Sequence, residues 1–238
     1  MVAPKIEWEE IEELIKAEGP FLCGARYVGD LKEHFRFGSG VPIDKLTHGI
    51  SIAYPLSAPV VEECTEGPTV LYKHHYRQVN MLLDRIALKI QGFIESRGGM
   101  VLPVPASVFY DWSKETAHVS HKMIAVRAGI GWIGKNILLI TPEHGARVRL
   151  VSVLTNVELE SPSRPQYHCG NCKTCALVCP VKAIGESPED FNLSACSEKV
   201  REFERKGMGV RICGICVKAC KPGLGKPLTD AEEERAAG

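Results

Sequence analysis

The residues with the clearest chemistry are cysteines. Cys169-x2-Cys172-x2-Cys175-x3-Cys179 is followed by Pro180, and Cys213-x2-Cys216-x3-Cys220 is followed by Lys221-Pro222. In runs of the first kind, three closely spaced thiolates wrap one face of a [4Fe–4S] cubane and the last cysteine serves a second cluster. Letting Cys220 cross over in the same way gives one cluster Cys169, Cys172, Cys175 and Cys220. The other then holds Cys179, Cys213 and Cys216 and lacks one ligand. Cys196, between the two runs, completes it. Two cubanes so placed could pass single electrons, so the pattern predicts a protein that moves electrons. CxxC pairs also bind zinc, so a pair of zinc sites is an alternative. A single cluster with spectator thiols is another. Cys23 and Cys64 stand apart and read as plain buried thiols.

The chain has ten cysteines in 238 residues, eight of them between 169 and 220. A disulfide scaffold would be smaller, with its cysteines spread along it, so the clustering points to metal in a reducing compartment. Lys+Arg is 29 and Asp+Glu is 29, a net charge of zero. That argues against a whole-molecule polyanion binder and leaves room only for a local basic patch. Apolar residues at 45% and charged residues at 24% are ordinary for a globular protein. No apolar run approaches the about 20 residues that span a bilayer. The start, MVAPKIEWEEIEELIK, is acidic and amphipathic, without the basic start and apolar core of a secretory signal. The expectation is a cytoplasmic protein with no membrane association.

The elements that must position the cysteines follow from periodicity. Residues 6–18 read as a helix stopped at Gly19-Pro20. Residues 21–28 and 46–57 read as strands. Residues 69–97 form the longest helical pattern, with Leu71, Val79, Leu82, Leu83, Ile86, Ile90, Phe93 and Ile94 on one face. Residues 100–107 read as an edge strand, because Pro103 and Pro105 cannot donate ladder hydrogen bonds. A helix at 115–128 leads into AGIGWIGKN (128–136), and 136–159 reads as a hairpin or meander around Pro142–Gly145. The fold class predicted is mixed α/β. Domains are expected at 1–160 and 161–226, joined by the linker SPSRPQYH and followed by a solvated tail at 227–238.

Gly129-x-Gly131-x-x-Gly134 satisfies GxGxxG, but the order is helix, glycines, strand, the reverse of a dinucleotide site. Either it is a tight turn, or it lets backbone approach a large flat cofactor. Ala125, Ala128, Gly129, Gly131, Trp132, Gly134, Lys135 and Asn136, followed by the first cysteine run, NLSAC (192–196) and the shortened second run, carry a resemblance. Over roughly residues 115–222 the chain resembles epoxyqueuosine reductases and the catalytic core of reductive dehalogenases.

That resemblance implies a nitroreductase-like N-terminal domain binding a corrinoid (cobalamin), followed by a ferredoxin-like domain with two [4Fe–4S] clusters that reduce cobalt one electron at a time. It places Gly129, Gly131, Trp132, Gly134, Lys135 and Asn136 at the corrinoid. In epoxyqueuosine reductases an aspartate just before the helix into the glycines donates a proton. The corresponding position is Glu115, with Asp111, Tyr110, His118 and His121 as alternatives. The family's Asp-x-x-Pro-x-x-Glu pattern is replaced by ETAHVSH (115–121).

Three functions remain open at this stage. The first is a corrinoid-dependent reductase of a small organic substrate, fed by a reduced ferredoxin- or flavodoxin-type donor. The second is an electron-transfer protein that reactivates the corrinoid of a partner protein. The third is epoxyqueuosine reduction on tRNA. Zero net charge and the lack of a helical-repeat extension count against tRNA. A basic strip of Arg147, Arg149, Arg201, Arg205, Lys206 and Arg211 remains for phosphate contact.

Overall fold

The computed structural model of the chain describes residues 4–108 and 116–228. In chain order the larger elements begin with helix α1 (Trp8–Lys16), strand β1 (Leu22–Tyr27), strand β2 (His48–Pro55), helix α2 (Ala58–Glu62), helix α3 (Val70–Ser96), strand β3 (Val101–Val104) and helix α4 (His121–Arg127). They continue with strands β4 (Trp132–Ile133), β5 (Leu139–Ile140), β6 (Val148–Thr155) and β7 (Tyr167–His168), helices α5 (Thr174–Val178), α6 (Leu193–Phe203) and α7 (Ile215–Ala219), and strand β8 (Lys226–Pro227). The chain is mixed α/β. It divides into two compact units that interleave along the sequence. The first comprises 1–54, 79–130 and 149–164, and the second 55–78, 131–148 and 165–238.

The first unit is built on a four-stranded sheet in the order β1-β2-β6-β3. β1 and β2 run antiparallel from Leu22 opposite Ala53 to Tyr27 opposite His48, and β3 lies antiparallel to β6. Along β2, Ile50, Ser51, Ile52 and Ala53 are all fully buried. Both faces of that strand are therefore covered, which removes the polar alternation of a half-solvated strand. β3 is an edge strand, as Pro103 within it requires. From Val79 onward α3 buries Val79, Leu83, Ile86, Ile90 and Ile94 at helical spacing, whereas Leu71 near its start is exposed. Val28, Phe35, Leu46, Val104, Val119, Ile124 and Leu154 form a second apolar cluster.

The second unit carries short elements. β4 pairs with β5 through Trp132–Ile140 and Ile133–Leu139, and β7 pairs with β8. The long hairpin expected over 136–159 is thus divided. β5 turns back on β4, and β6 joins the four-stranded sheet. Around Pro142–Gly145 only a Thr141–Gly145 bridge closes the turn.

Ile124 is fully buried in the apolar cluster of the first unit. Ile124→Ala is expected to cost about 2–5 kcal/mol, the range for emptying such a site. The check is the urea midpoint, which should fall with an unchanged slope.

Candidate metal centre

All ten cysteines are free thiols. Cys169, Cys172, Cys175 and Cys220 line one pocket of the second unit, together with Trp132, Lys135, Asn136, Ile140, Thr174, Leu224 and Gly225. Burial pushes the Cys220 thiol up to about 12, and the charges of Cys175, Cys169 and Cys172 add to it. Burial also raises Cys175, again with Cys169 and Cys172 as the repelling neighbours. The remaining four form a second set. Burial raises Cys196, then the charges of Cys213 and Cys179. Cys216 is raised furthest, by burial and then by Cys213, Cys196, Cys175 and Cys179. The charge of Cys175, on α5, is thus felt at Cys216, on α7, and the two helices pack together.

The local chain is shaped to bring these thiols in. Cys169-Gly170-x-Cys172 and Cys213-Gly214-x-Cys216 place a glycine at the same point of each turn. Gly170 has φ +52 and Gly214 φ +89, a region costly for other residues. Gly145 lies under Cys220: a Cβ there would fall 2.2 Å from the Cys220 carbonyl oxygen. The Ala183 N–H donates to Cys179 Sγ at 3.3 Å, and Cys172 Sγ lies 3.3 Å from Thr174 Oγ1.

The glycine stretch serves this pocket. Gly129, with φ +73, ends α4, and a Cβ built on it would touch Arg164 Cβ at 4.0 Å, an ordinary van der Waals contact. Gly131 and Gly134 face the chain itself. A Cβ on Gly131 would meet the Ile140 carbonyl oxygen at 1.9 Å, and one on Gly134 would meet the Ile140 side chain at 2.6 Å. They close the β4–β5 hairpin, whose Trp132, Lys135 and Asn136 then border the thiols. Trp132 Nε1–H donates to Cys169 Sγ at 3.3 Å. The Lys135 ammonium donates to the carbonyls of Gly170 at 3.0 Å and Cys172 at 3.1 Å. Asn136 accepts from the Leu138 N–H at 3.3 Å, and its buried Nδ2 has no partner among the described residues. These thiol contacts have no mark in sequence spacing.

Four thiols and an unpartnered amide N–H around one pocket are a donor set that fits an iron–sulfur cluster. Among the described residues no three His, Cys, Asp or Glu side chains converge on a point for a single metal ion. The other two cysteines are buried, and burial lifts both Cys23 and Cys64 to about 11. Cys64 packs beside Gly214, where a Cβ would lie 2.7 Å from its Sγ.

Tyr110, Asp111 and Glu115 lie outside the described residues. His118 bonds the Arg36 carbonyl through Nδ1 at 2.8 Å and stacks on Phe37 at 5.1 Å. His121 has both ring nitrogens engaged, Nδ1 with Ser152 Oγ at 2.9 Å and Nε2 with the Pro105 carbonyl at 3.0 Å. The carbonyl can only accept, so Nε2 carries the proton and Nδ1 accepts from the serine. Burial lowers His121 to about 4, with the Arg149 charge adding to it and the Pro105 bond opposing.

The basic strip is internally paired. Arg147 meets Glu62 at 2.7 Å, Arg205 meets Glu198 at 2.6 Å, Lys206 meets Glu202 at 2.6 Å and Arg211 meets Glu204 at 3.0 Å. Arg149 donates to Asn80 Oδ1 at 3.0 Å.

Among known proteins, epoxyqueuosine reductases resemble part of this chain. The chain is similar to them in sequence and takes their fold. It is 43% identical over 70 residues to the enzyme of Listeria monocytogenes, taking in 29% of this chain and 18% of that one. It is 40% identical over 119 residues to that of Bacillus anthracis, 47% of this chain and 31% of the relative. The match thus spans less than a third of the length of these relatives. No family model matches the chain. In structure it is similar to an epoxyqueuosine reductase from Streptococcus thermophilus, at TM-score 0.58 and 22% identity over 93% of this chain and 67% of that one. It is also similar to a catabolic reductive dehalogenase, at TM-score 0.69 and 16% identity over 89% and 31%.

A half-buried neutral histidine ties stability to pH. The folded value, about 4, lies below the ordinary 6.5, so the unfolded chain binds the proton more readily. The contribution is complete above about 6.5 and is lost as pH falls toward about 4. The pH profile of the melting temperature should therefore decline over that window. In His121→Gln, whose amide can still donate to Pro105, the decline should be shallower.

Proposed function

We propose that the protein is a corrinoid-dependent iron–sulfur reductase acting on a small organic substrate. Its first unit would be a nitroreductase-like corrinoid domain, and its cysteine-bearing region a ferredoxin-like module with two [4Fe–4S] clusters. What supports this reading is that Cys169, Cys172, Cys175 and Cys220 line one pocket, while Cys179, Cys196, Cys213 and Cys216 would make a second set. Each set has its members within electrostatic reach of one another. The clusters, when bound, supply single electrons, and the corrinoid supplies a cobalt centre for the reduction.

The chain's own residues would do the rest. The thiolates hold iron, and the glycine turns let them approach. The Cys175 charge is felt at Cys216, so an electron could pass between the two sets on that side. Gly129, where an added Cβ would meet nothing closer than 4.0 Å, is the point of the glycine stretch where a flat cofactor could meet backbone. Glu115 would hold the proton for the substrate. A solved reductive dehalogenase of this fold is described as acting by B12-dependent dehalogenation, which supports the corrinoid part of the reading.

The test is anaerobic reconstitution followed by cobalamin titration. Expected are about eight irons per chain and saturable cobalamin binding with a changed absorption spectrum. Iron without cobalamin binding would leave an electron carrier, and zinc in place of iron would overturn the reading. Cys196→Ala should retain about half the iron, because one cubane loses a ligand. Glu115→Gln should bind cobalamin and lose turnover.

A further inference from the structure

We propose that Trp132 and Asn136, backed by Lys135, raise the reduction potential of the cluster held by Cys169, Cys172, Cys175 and Cys220 above that of its neighbour. An electron entering the protein then rests there. This rests on the iron–sulfur reading above.

The indole N–H of Trp132 points at a ligand sulfur, Cys169 Sγ, at 3.3 Å. The ring is held in that position. It is 8% exposed, stacks on Tyr167 at 5.8 Å with planes 23° apart, and is crowded by Gly225, where a Cβ would sit 2.3 Å from it. Asn136 is 3% exposed and borders the same pocket. Its oxygen is used by the Leu138 N–H, which fixes which end of the amide remains. That end, Nδ2, is buried with no partner among the described residues. A buried donor left unpaired loses its hydration with nothing in return, so the arrangement is unfavourable unless an acceptor enters the pocket. Cluster sulfur is such an acceptor. Lys135, also 8% exposed, fixes a positive charge on the carbonyls of Gly170 and Cys172, inside the first cysteine turn.

Reduction takes [4Fe–4S] from the 2+ to the 1+ state with one electron from a low-potential one-electron donor. No bond is made or broken and no proton moves. The added charge lies on the iron and sulfur atoms. N–H donors and a nearby cation stabilise the more negative state more, which raises the potential. The second set of thiols is differently served. Cys179 accepts a backbone N–H from Ala183. The cation near Cys213, Lys199, is bonded to Glu202 at 2.9 Å, which offsets its charge.

The experiment is an anaerobic redox titration of the reconstituted full chain followed by EPR. The signal that disappears in Cys220→Ala identifies the first cluster. Trp132→Phe keeps the aromatic stack and removes the donor. It should make reduction of that cluster about tenfold less favourable, a fall of about 59 mV, with the other midpoint unmoved. Asn136→Asp keeps the acceptor oxygen and replaces the amide donor with a charge, and should lower the same midpoint at least as far. In the wild type the first cluster should have the higher midpoint. Full iron content with unmoved midpoints in both variants, or both midpoints moving together, overturns this inference alone. Wild-type protein that takes up no iron overturns the iron–sulfur reading and this inference with it.

Discussion

Thiols gathered side by side out of water resist ionisation, and the second unit is organised around that resistance. Burial raises Cys175, Cys196, Cys213, Cys216 and Cys220, and in each set the neighbouring sulfurs raise them further. A cation-bearing cluster reverses the sign of this interaction. Its iron binds thiolate, so uptake releases protons, and the repulsion that burial imposed becomes coordination. Apolar packing beside the first set is slight: Trp132, Ile140 and Ala146, with Leu138 and Tyr167 at the edge. On the proposed reading much of the local stability therefore comes from metal ligation, as in other small metal-dependent folds.

The same constraint accounts for the glycines. Where a CxxC turn passes through left-handed backbone, a residue with a Cβ fits only with strain. Gly170 and Gly214 avoid that strain at matching places in the two runs. Gly145 acts differently, by leaving room for the Cys220 carbonyl. In Gly131 and Gly134 the space is taken up by Ile140, so the most conspicuous glycine motif builds a hairpin wall for the thiols. Its side chains supply what the cysteines lack, namely donors.

How much of this can be read from sequence differs between the units. The cysteine spacing carries the thiol sets because covalent spacing is itself the constraint: two or three residues fix how far apart thiols can be. The helix from Val70 to Ser96 and the proline-bearing edge strand are legible for the same reason, since periodicity and a missing N–H act locally. The pairing of β5 with β4, and of β6 with the four-stranded sheet, depends on contacts between distant segments, and the sequence between Ile140 and Val148 offers a turn that fits either pairing. The segments 55–78 and 131–148 join the cysteine-bearing unit without any change of composition to mark them. The partners of Trp132 and Lys135 are hidden likewise, because hydrogen bonds across 35 and 37 residues leave no periodic trace.

The charge balance bears on what can approach the protein. Long-range attraction of a polyanion needs a net positive field, and salt cuts it off beyond about 8–10 Å. Here Arg205, Lys206 and Arg211 each have a carboxylate within 3.0 Å, and Arg147 is buried against Glu62. Such pairs present dipoles, whose field dies away faster than that of a lone charge. Opening an exposed pair costs little, about 0–1 kcal/mol, so close contact with phosphate is affordable once made. What the pairing removes is the steering that would bring a nucleic acid in. A small substrate that reaches its site by diffusion needs no such steering, and that asymmetry favours the small-molecule reading.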